Sequence, residues 1–435
     1  MTAPSAFAPA QLGPVTLRNR IIKSATFEGR TPDGLVTDEL IDYHLAPSRG
    51  GVGLTTVAYL AIAPEGRTHG EQIVVGSWSA PGLARLTDAI HETGAKISGQ
   101  LGHAGPVANG RSNRHRAISA SSMPSPLSMQ MIRGATESDI TRITYDYVRA
   151  ARILVDAGFD VLEVHLAHSY LLSAFLAPGL NRRRDRWGGS LENRARFARQ
   201  VVRAVRDEVG DEVAVIAKLG MSDGSPAGVS VPESIEVAQW LQQDGGLDAI
   251  ELSAGSSLLN PMYLFRGDVP LKEFAAQMPG PVRLGLKTPM GRTFFRAYEF
   301  REAFLRENAL KFRAAVSMPL VQLGGINDRA TIDQSMADGF EFVAMARALL
   351  REPDLVSRLA ADETGHGLCI HCNQCMPTIY TGTRCTQLPL LPKPDIRQPE
   401  TTGVRPSAAR ARALAPNEGV PREARPTRRP SGRDG

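Results

Sequence analysis

The chain has 435 residues, 42% hydrophobic and 22% charged, a composition that fits one large globular domain or two ordinary ones. No apolar run reaches the roughly 18 residues of a membrane span, and MTAPSAFAPAQLG at the start has no basic segment leading into an apolar core, so the expectation is a cytoplasmic protein without a signal peptide. The net charge of +5 is local: residues 401–435 hold eight arginines against three acids, which leaves the body formally neutral, without the basic face of a nucleic-acid binder.

From the N-terminus onward, short β-branched runs alternate with amphipathic stretches. The strands expected are Arg20–Ala25, Val52–Tyr59, Lys96–Leu101, Val161–Leu166, Val213–Leu219, Ala249–Ser253, Leu320–Leu323 and Phe342–Met345. Helices are expected over Thr141–Ala157, Glu192–Val209, Pro232–Gln243 and Asp328–Ala337. Eight strands with crossover helices indicate an α/β class fold, the closed (β/α)8 TIM barrel. Leu258–Arg313 is too long for a simple loop and reads as an insertion between strands six and seven plus the helix before strand seven. The domain reading is a barrel over 1–365, a cysteine-containing extension over 366–395, and a Pro/Arg-rich disordered tail over 396–435.

In such a barrel the chemistry sits at the C-terminal strand ends. The fourth strand ends in EVHLAHSYL, which sets His165, His168 and Tyr170 within six positions. Two imidazoles and a phenol buried together need partners, and at a strand end they suit gripping an oxygen and moving a proton. Any one of them alone reads as a satisfied core residue. After strand seven, LGGIND offers Gly324 and Gly325 before a helix capped by Asn327 or Asp328, and strand eight runs into Ala346 and Arg347. Amides at a glycine turn plus an arginine suit a phosphate monoester, such as that of FMN.

These residues carry a resemblance. LRNRIIKSATF (17–27), QLGHAG (100–105), VHLAHSYLLSAFLAPGLNRRRDRWGGSLENRARF (164–197) and RALLREPDL (347–355) resemble the old yellow enzyme family of FMN-dependent ene-reductases. The resemblance implies an NAD(P)H-fed, FMN-dependent enzyme that reduces activated C=C bonds of enone type in ping-pong turnover. It implies that Gln100 reads the flavin's pyrimidine edge and that Ser24, Ala25 and Thr26 lie against the isoalloxazine. It makes His165 and His168 the substrate clamp, Tyr170 the proton donor, and Gly324, Gly325, Ala346 and Arg347 the phosphate grip. Lys218 stands where many relatives place an arginine beside the flavin, and Phe27 stands in the substrate region where they have Cys or Thr. A Schiff-base role for Lys218 is the alternative at that position.

All four cysteines lie between 369 and 385: CIHCNQC, then Cys385. Clustered thiols without an oxidising compartment suggest metal more than disulfide. Cys369, Cys372, Cys375 and Cys385 are therefore candidate ligands for a 4Fe–4S cluster or Zn2+, with free thiols as the third outcome. A cluster would point to a dienoyl-CoA-reductase-like or amine-oxidising relative. A non-catalytic flavin-binding barrel is a further alternative. The expected partner is a small-molecule substrate, not nucleic acid or membrane, and the sequence is compatible with a homo-oligomer.

Overall fold

The computed structural model describes residues 3–125, 128–277, 280–286, 288, 291 and 294–389. Eight strands form a closed barrel: β1 (Ile21–Lys23), β2 (Leu54–Ala61), β3 (Lys96–Gly102), β4 (Val161–Leu166), β5 (Ala214–Gly220), β6 (Ala249–Ser253), β7 (Leu320–Leu323) and β8 (Phe342–Met345). They follow one another in chain order, every neighbouring pair is parallel, and β8 pairs with β1 to shut the ring. Strands buried on both faces read as near-continuous apolar runs, which is why each one was visible in the sequence.

Boundaries move by a few residues for local reasons. β1 is three residues long, so Ser24, Ala25 and Thr26 lie beyond it, with the Ser24 amide still donating to Met345 O at 2.9 Å. β2 begins at Leu54 instead of Val52 because the chain first passes through Gly50, Gly51 and Gly53. The helix expected from Thr141 starts at Glu137, since Thr136 and Asp139 form a capping box. Asp328 is the cap before Arg329–Ala337, accepting from the Thr331 amide at 2.7 Å.

Two small sheets escaped the sequence reading because their strands are two to four residues long. A hairpin of Ala10–Leu12 and Val15–Leu17 packs its apolar side chains on Ile22, Leu54, Val161, Ile216 and Phe342. It plugs the N-terminal end of the barrel, so access is from the other end. Ile118–Ser119, Met123–Pro124 and Met131–Gly134 form a three-stranded sheet in the excursion after β3. The expected insertion after β6 is there, with short helices Met262–Phe265, Leu271–Ala276 and Gly280–Leu286 ahead of Arg306–Ala315. The expected tail at 396–435 lies outside the described residues. Among the described residues no helix is long and apolar enough to cross a membrane.

Candidate active site

β4 carries His165 into the barrel mouth, and the chain then turns sharply. His168 and Ser169 both adopt φ of 62°, a left-handed conformation that a non-glycine residue holds only when its surroundings enforce it. The β6 end enforces it here. Ser253 Oγ lies 2.8 Å from His168 Nε2, the Ser257 amide donates to His168 O at 3.3 Å, and Ser256 bonds the Ser169 hydroxyl. Tyr170 is then the cap residue of the helix Leu171–Leu176.

The turn brings four rings together. His165 and His168 are 5.1 Å apart between centroids, His165 and Tyr170 4.6 Å, and Tyr59 of β2 lies 5.1 Å from Tyr170. The Tyr59 hydroxyl is spent on Gly66 O at 2.7 Å, so it braces the cluster. Burial, with Lys218 adding to it, pushes His168 down to about 3; burial, His168 and Lys218 push His165 well below its ordinary value. Both imidazoles are therefore neutral at physiological pH, and a neutral imidazole still donates through one nitrogen. Among the described residues His165 Nδ1 is buried without a protein partner, and a ligand's polar atom can supply one.

Beneath the rings lies a charged layer set by strand register. Gln100 is level with Glu163, and Lys218 is level with His165 on one side and Glu251 on the other. The Lys218 ammonium bonds Glu251, lies 3.2 Å from Glu163 and donates to Ser24 Oγ at 3.1 Å. Ser24 Oγ donates to Glu251 at 2.6 Å, and the Gln100 amide donates to Glu163. Burial pulls the lysine down, but the two carboxylates outweigh it and hold its pKa above the ordinary value. A protonated amine is no nucleophile, which weighs against the Schiff-base alternative. Burial also pushes Glu163 up to about 7, against the pull of Lys218 and with the repulsion of Glu251. Phe27 makes an edge-on contact with His69 at 5.2 Å. Thr26 turns its hydroxyl back onto Ser24 O at 3.1 Å.

The third part lies at β7 and β8. Gly324 and Gly325 have φ of 106° and 78°, and a Cβ on either would collide with the Leu305 or Phe304 side chain. Arg347 follows Ala346 at the end of β8. It is partly buried and has no carboxylate partner among the described residues, donating only to Arg266 O at 3.2 Å and to the Asn373 side-chain oxygen. A guanidinium on neutral acceptors, next to a two-glycine turn, fits a phosphate monoester. The residues present thus fit FMN: Arg347 and the glycine turn toward its phosphate, Gln100, Lys218 and the Ser24–Thr26 segment toward its ring.

Cys369, Cys372, Cys375 and Cys385 line one small cavity with Arg347 and Leu350. All four are free thiols. Among the described residues no group of three or more His, Cys, Asp or Glu side chains is arranged to hold a metal ion. The extension instead latches onto the barrel mouth. Asn373 clasps Arg266 O at 2.9 Å, and Thr383 bonds the backbone of Phe27 and Glu28.

Glu163, Glu251, Ser256 and Asn373 are site residues that sequence reasoning missed. A signal existed for the first two, an acid in the middle of an otherwise apolar strand in VLEVHL and AIELS. None existed for Ser256 or Asn373, which matter only through the fold.

Residues 5–255 match the NADH:flavin oxidoreductase / NADH oxidase family, and the chain belongs to that family. It is a flavin oxidoreductase enzyme on a (β/α)8 barrel. The chain is 53% identical over 382 residues to a 4,4'-dithiodibutanoate disulfide reductase of Rhodococcus erythropolis, covering 88% of this chain and 94% of that protein. It is 32% identical over 380 residues to a metal reductase of Desulforamulus reducens, covering 86% of this chain and 52% of that one, so it spans about half of that relative's length. The old yellow enzyme homologue of Zymomonas mobilis has the same fold, with a TM-score of 0.66 at 22% identity over 88% of this chain and 98% of that one.

Proposed function

We propose that the protein uses FMN and NAD(P)H to reduce small electron-poor substrates, activated C=C bonds of enone type first among them. The observation that carries this reading is the ring cluster of His165, His168 and Tyr170, braced by Tyr59 over the charged layer. FMN, when bound, supplies the hydride that NAD(P)H has delivered. The neutral His165 and His168 donate to the substrate's carbonyl oxygen, where negative charge builds as the β-carbon is reduced. Tyr170 gives its phenolic proton to the α-carbon. Ser253 holds His168 for this, since its hydroxyl already engages Nε2. Nicotinamide and substrate take turns in one pocket.

The test is anaerobic: FMN-loaded protein is bleached with NADH or NADPH, then mixed with enones, nitroalkenes, quinones and organic disulfides in turn. Rapid reoxidation by enones supports the reading. Protein that does not bind FMN, or that no acceptor reoxidises, would falsify it. The same experiment decides the non-catalytic barrel.

A second reading is favoured by the disulfide reductase that shares 53% identity with this chain. A small organic disulfide would take two electrons and two protons to give two thiols, with Tyr170 placed to protonate a leaving thiolate. In the anaerobic test, disulfides would then outpace enones. The iron–sulfur reading of the cysteines is tested by iron, sulfide and zinc analysis of the same protein.

A further inference from the structure

Lys218 is unusual in having two carboxylates for one ammonium. Glu163 on β4 and Glu251 on β6 flank it from the neighbouring strands. Both carboxylates are 0% exposed, and Lys218 is 2% exposed. Each carboxylate also keeps a buried oxygen, Oε2, without a hydrogen-bond partner among the described residues. The three groups when ionised therefore carry a net charge of −1, in a place where little solvent screens it. Lys23 is the other buried amine nearby: it donates to Thr56 O at 3.3 Å and lies over the face of Tyr43, burial pulls it down to about 8 against the pull of Glu28, Glu163 and Glu251, and it shares the field of the two carboxylates with Lys218 without a direct ion pair to either. His165 and His168 stand above, and both are neutral.

We propose that Glu251, together with Glu163, is a positioning residue that offsets the positive charge of Lys218 and thereby lowers the reduction potential of the bound flavin. The inference rests on the FMN reading above and deepens it. The arrangement does two separable things. Glu163 holds the Gln100 amide, which leaves that side chain's carbonyl oxygen as the end it can offer to a ligand. Glu251, through Ser24 and Lys218, holds the ammonium from below. A lone ammonium beside a flavin favours the electron-rich reduced form; an ammonium matched by two carboxylates does not. A low-potential flavin gives up its electrons to acceptors that are harder to reduce, and organic disulfides belong to that group. The charged layer thus supplies a physical reason for the second substrate reading, from residues other than the thiols.

The test is the midpoint potential of bound FMN, measured by spectroelectrochemical titration at fixed pH in the unsubstituted protein, Glu251→Gln and Glu163→Gln. Both substitutions keep shape and hydrogen-bonding capacity; Glu251→Gln removes one charge, and Glu163→Gln removes one above the pH of about 7 at which that carboxyl ionises, so the titration is run above that pH. The expected result is FMN retained and a potential raised in each variant, with Lys218→Met moving it the other way. Reoxidation by disulfides should slow in Glu251→Gln more than reoxidation by quinones. If Glu251→Gln does not accumulate as folded protein, Glu163→Gln carries the test, since it faces the same ammonium. Unchanged potentials in FMN-loaded variants overturn this inference alone. A failure of the unsubstituted protein to bind FMN overturns the reading it rests on, and this inference with it.

Discussion

Two stretches of the chain gather reactive side chains within a few residues of each other, 165–170 and 369–385, and they end up in different states. His165, His168 and Tyr170 meet partners brought by other strands: Ser253 and Ser256 from the end of β6, Tyr59 from β2, Lys218 from β5. The cysteines share a cavity, but their polar contacts are long and weak, 3.8 Å from Cys369 to His371 and 3.9 Å from Gln387 to Cys372. Burial pushes the Cys375 thiol up to about 11, despite the pull of Arg347. Proximity in sequence is common to both stretches. The difference is that short hydrogen bonds and ring contacts from other strands fix the reactive side chains of the first, whereas the thiols of the second have, among the described residues, only these long sulfur contacts.

The comparison breaks most visibly at Tyr170. Tyr170→Phe should slow reoxidation by an enone by about 10²–10⁴-fold, the usual worth of a placed general acid, while bleaching by NAD(P)H keeps its rate. Stopped-flow absorbance separates the two half-reactions, and an unaffected enone step would remove the proton-donor role. Arg347→Gln is next. Losing a charge-assisted contact costs about 1.5–3 kcal/mol, so FMN should bind roughly 10–100-fold more weakly, whereas riboflavin, which has no phosphate, should bind as before. Equal losses for both ligands would mean that Arg347 serves the fold through Asn373 instead.

Acid stability probes the same contrast less directly. Burial lowers His44 and His103 to about 4 and His168 to about 3. The unfolded chain takes up protons on these rings below roughly pH 6.5, so the folded state holds fewer protons through that window and loses stability as pH falls. The contribution is present above pH 6.5 and drains away towards pH 4 and below. Thermal melts should show Tm falling over that range. A flat Tm between pH 7 and 4 would mean that these rings are not buried neutral.

Much of this was legible in the chain. Each barrel strand carries an apolar, β-branched run long enough to be seen, and their number sets the fold. The run ending in Tyr170 and the turn at Gly324 announced themselves because polar or glycine residues follow such a run directly. What stayed hidden depends on register. That Glu163 meets Lys218, and that Lys218 meets Glu251, follows from how β4, β5 and β6 align, which no local pattern encodes. The hairpin plugging the barrel was hidden for another reason: its three-residue strands alternate buried and exposed positions over too short a span to show a period, whereas the equally short β1 is buried throughout.

The smallest expected effect lies in the cysteines, and it sharpens the comparison from the other side. Cys375 is mostly a thiol at neutral pH, because its burial disfavours the thiolate, and a thiol is a poor nucleophile. Alkylation of the native protein at pH 7 should therefore modify Cys375 slowly and become faster as pH approaches 11. Cys375→Ser should leave both half-reactions at their original rates, since the side chain touches neither the ring cluster nor the charged layer. Fast alkylation at pH 7 would show that the thiol is exposed or activated. A large fall in enone or disulfide turnover in Cys375→Ser would go further: it would make the second stretch a working part of the enzyme, and the contrast with the first would collapse.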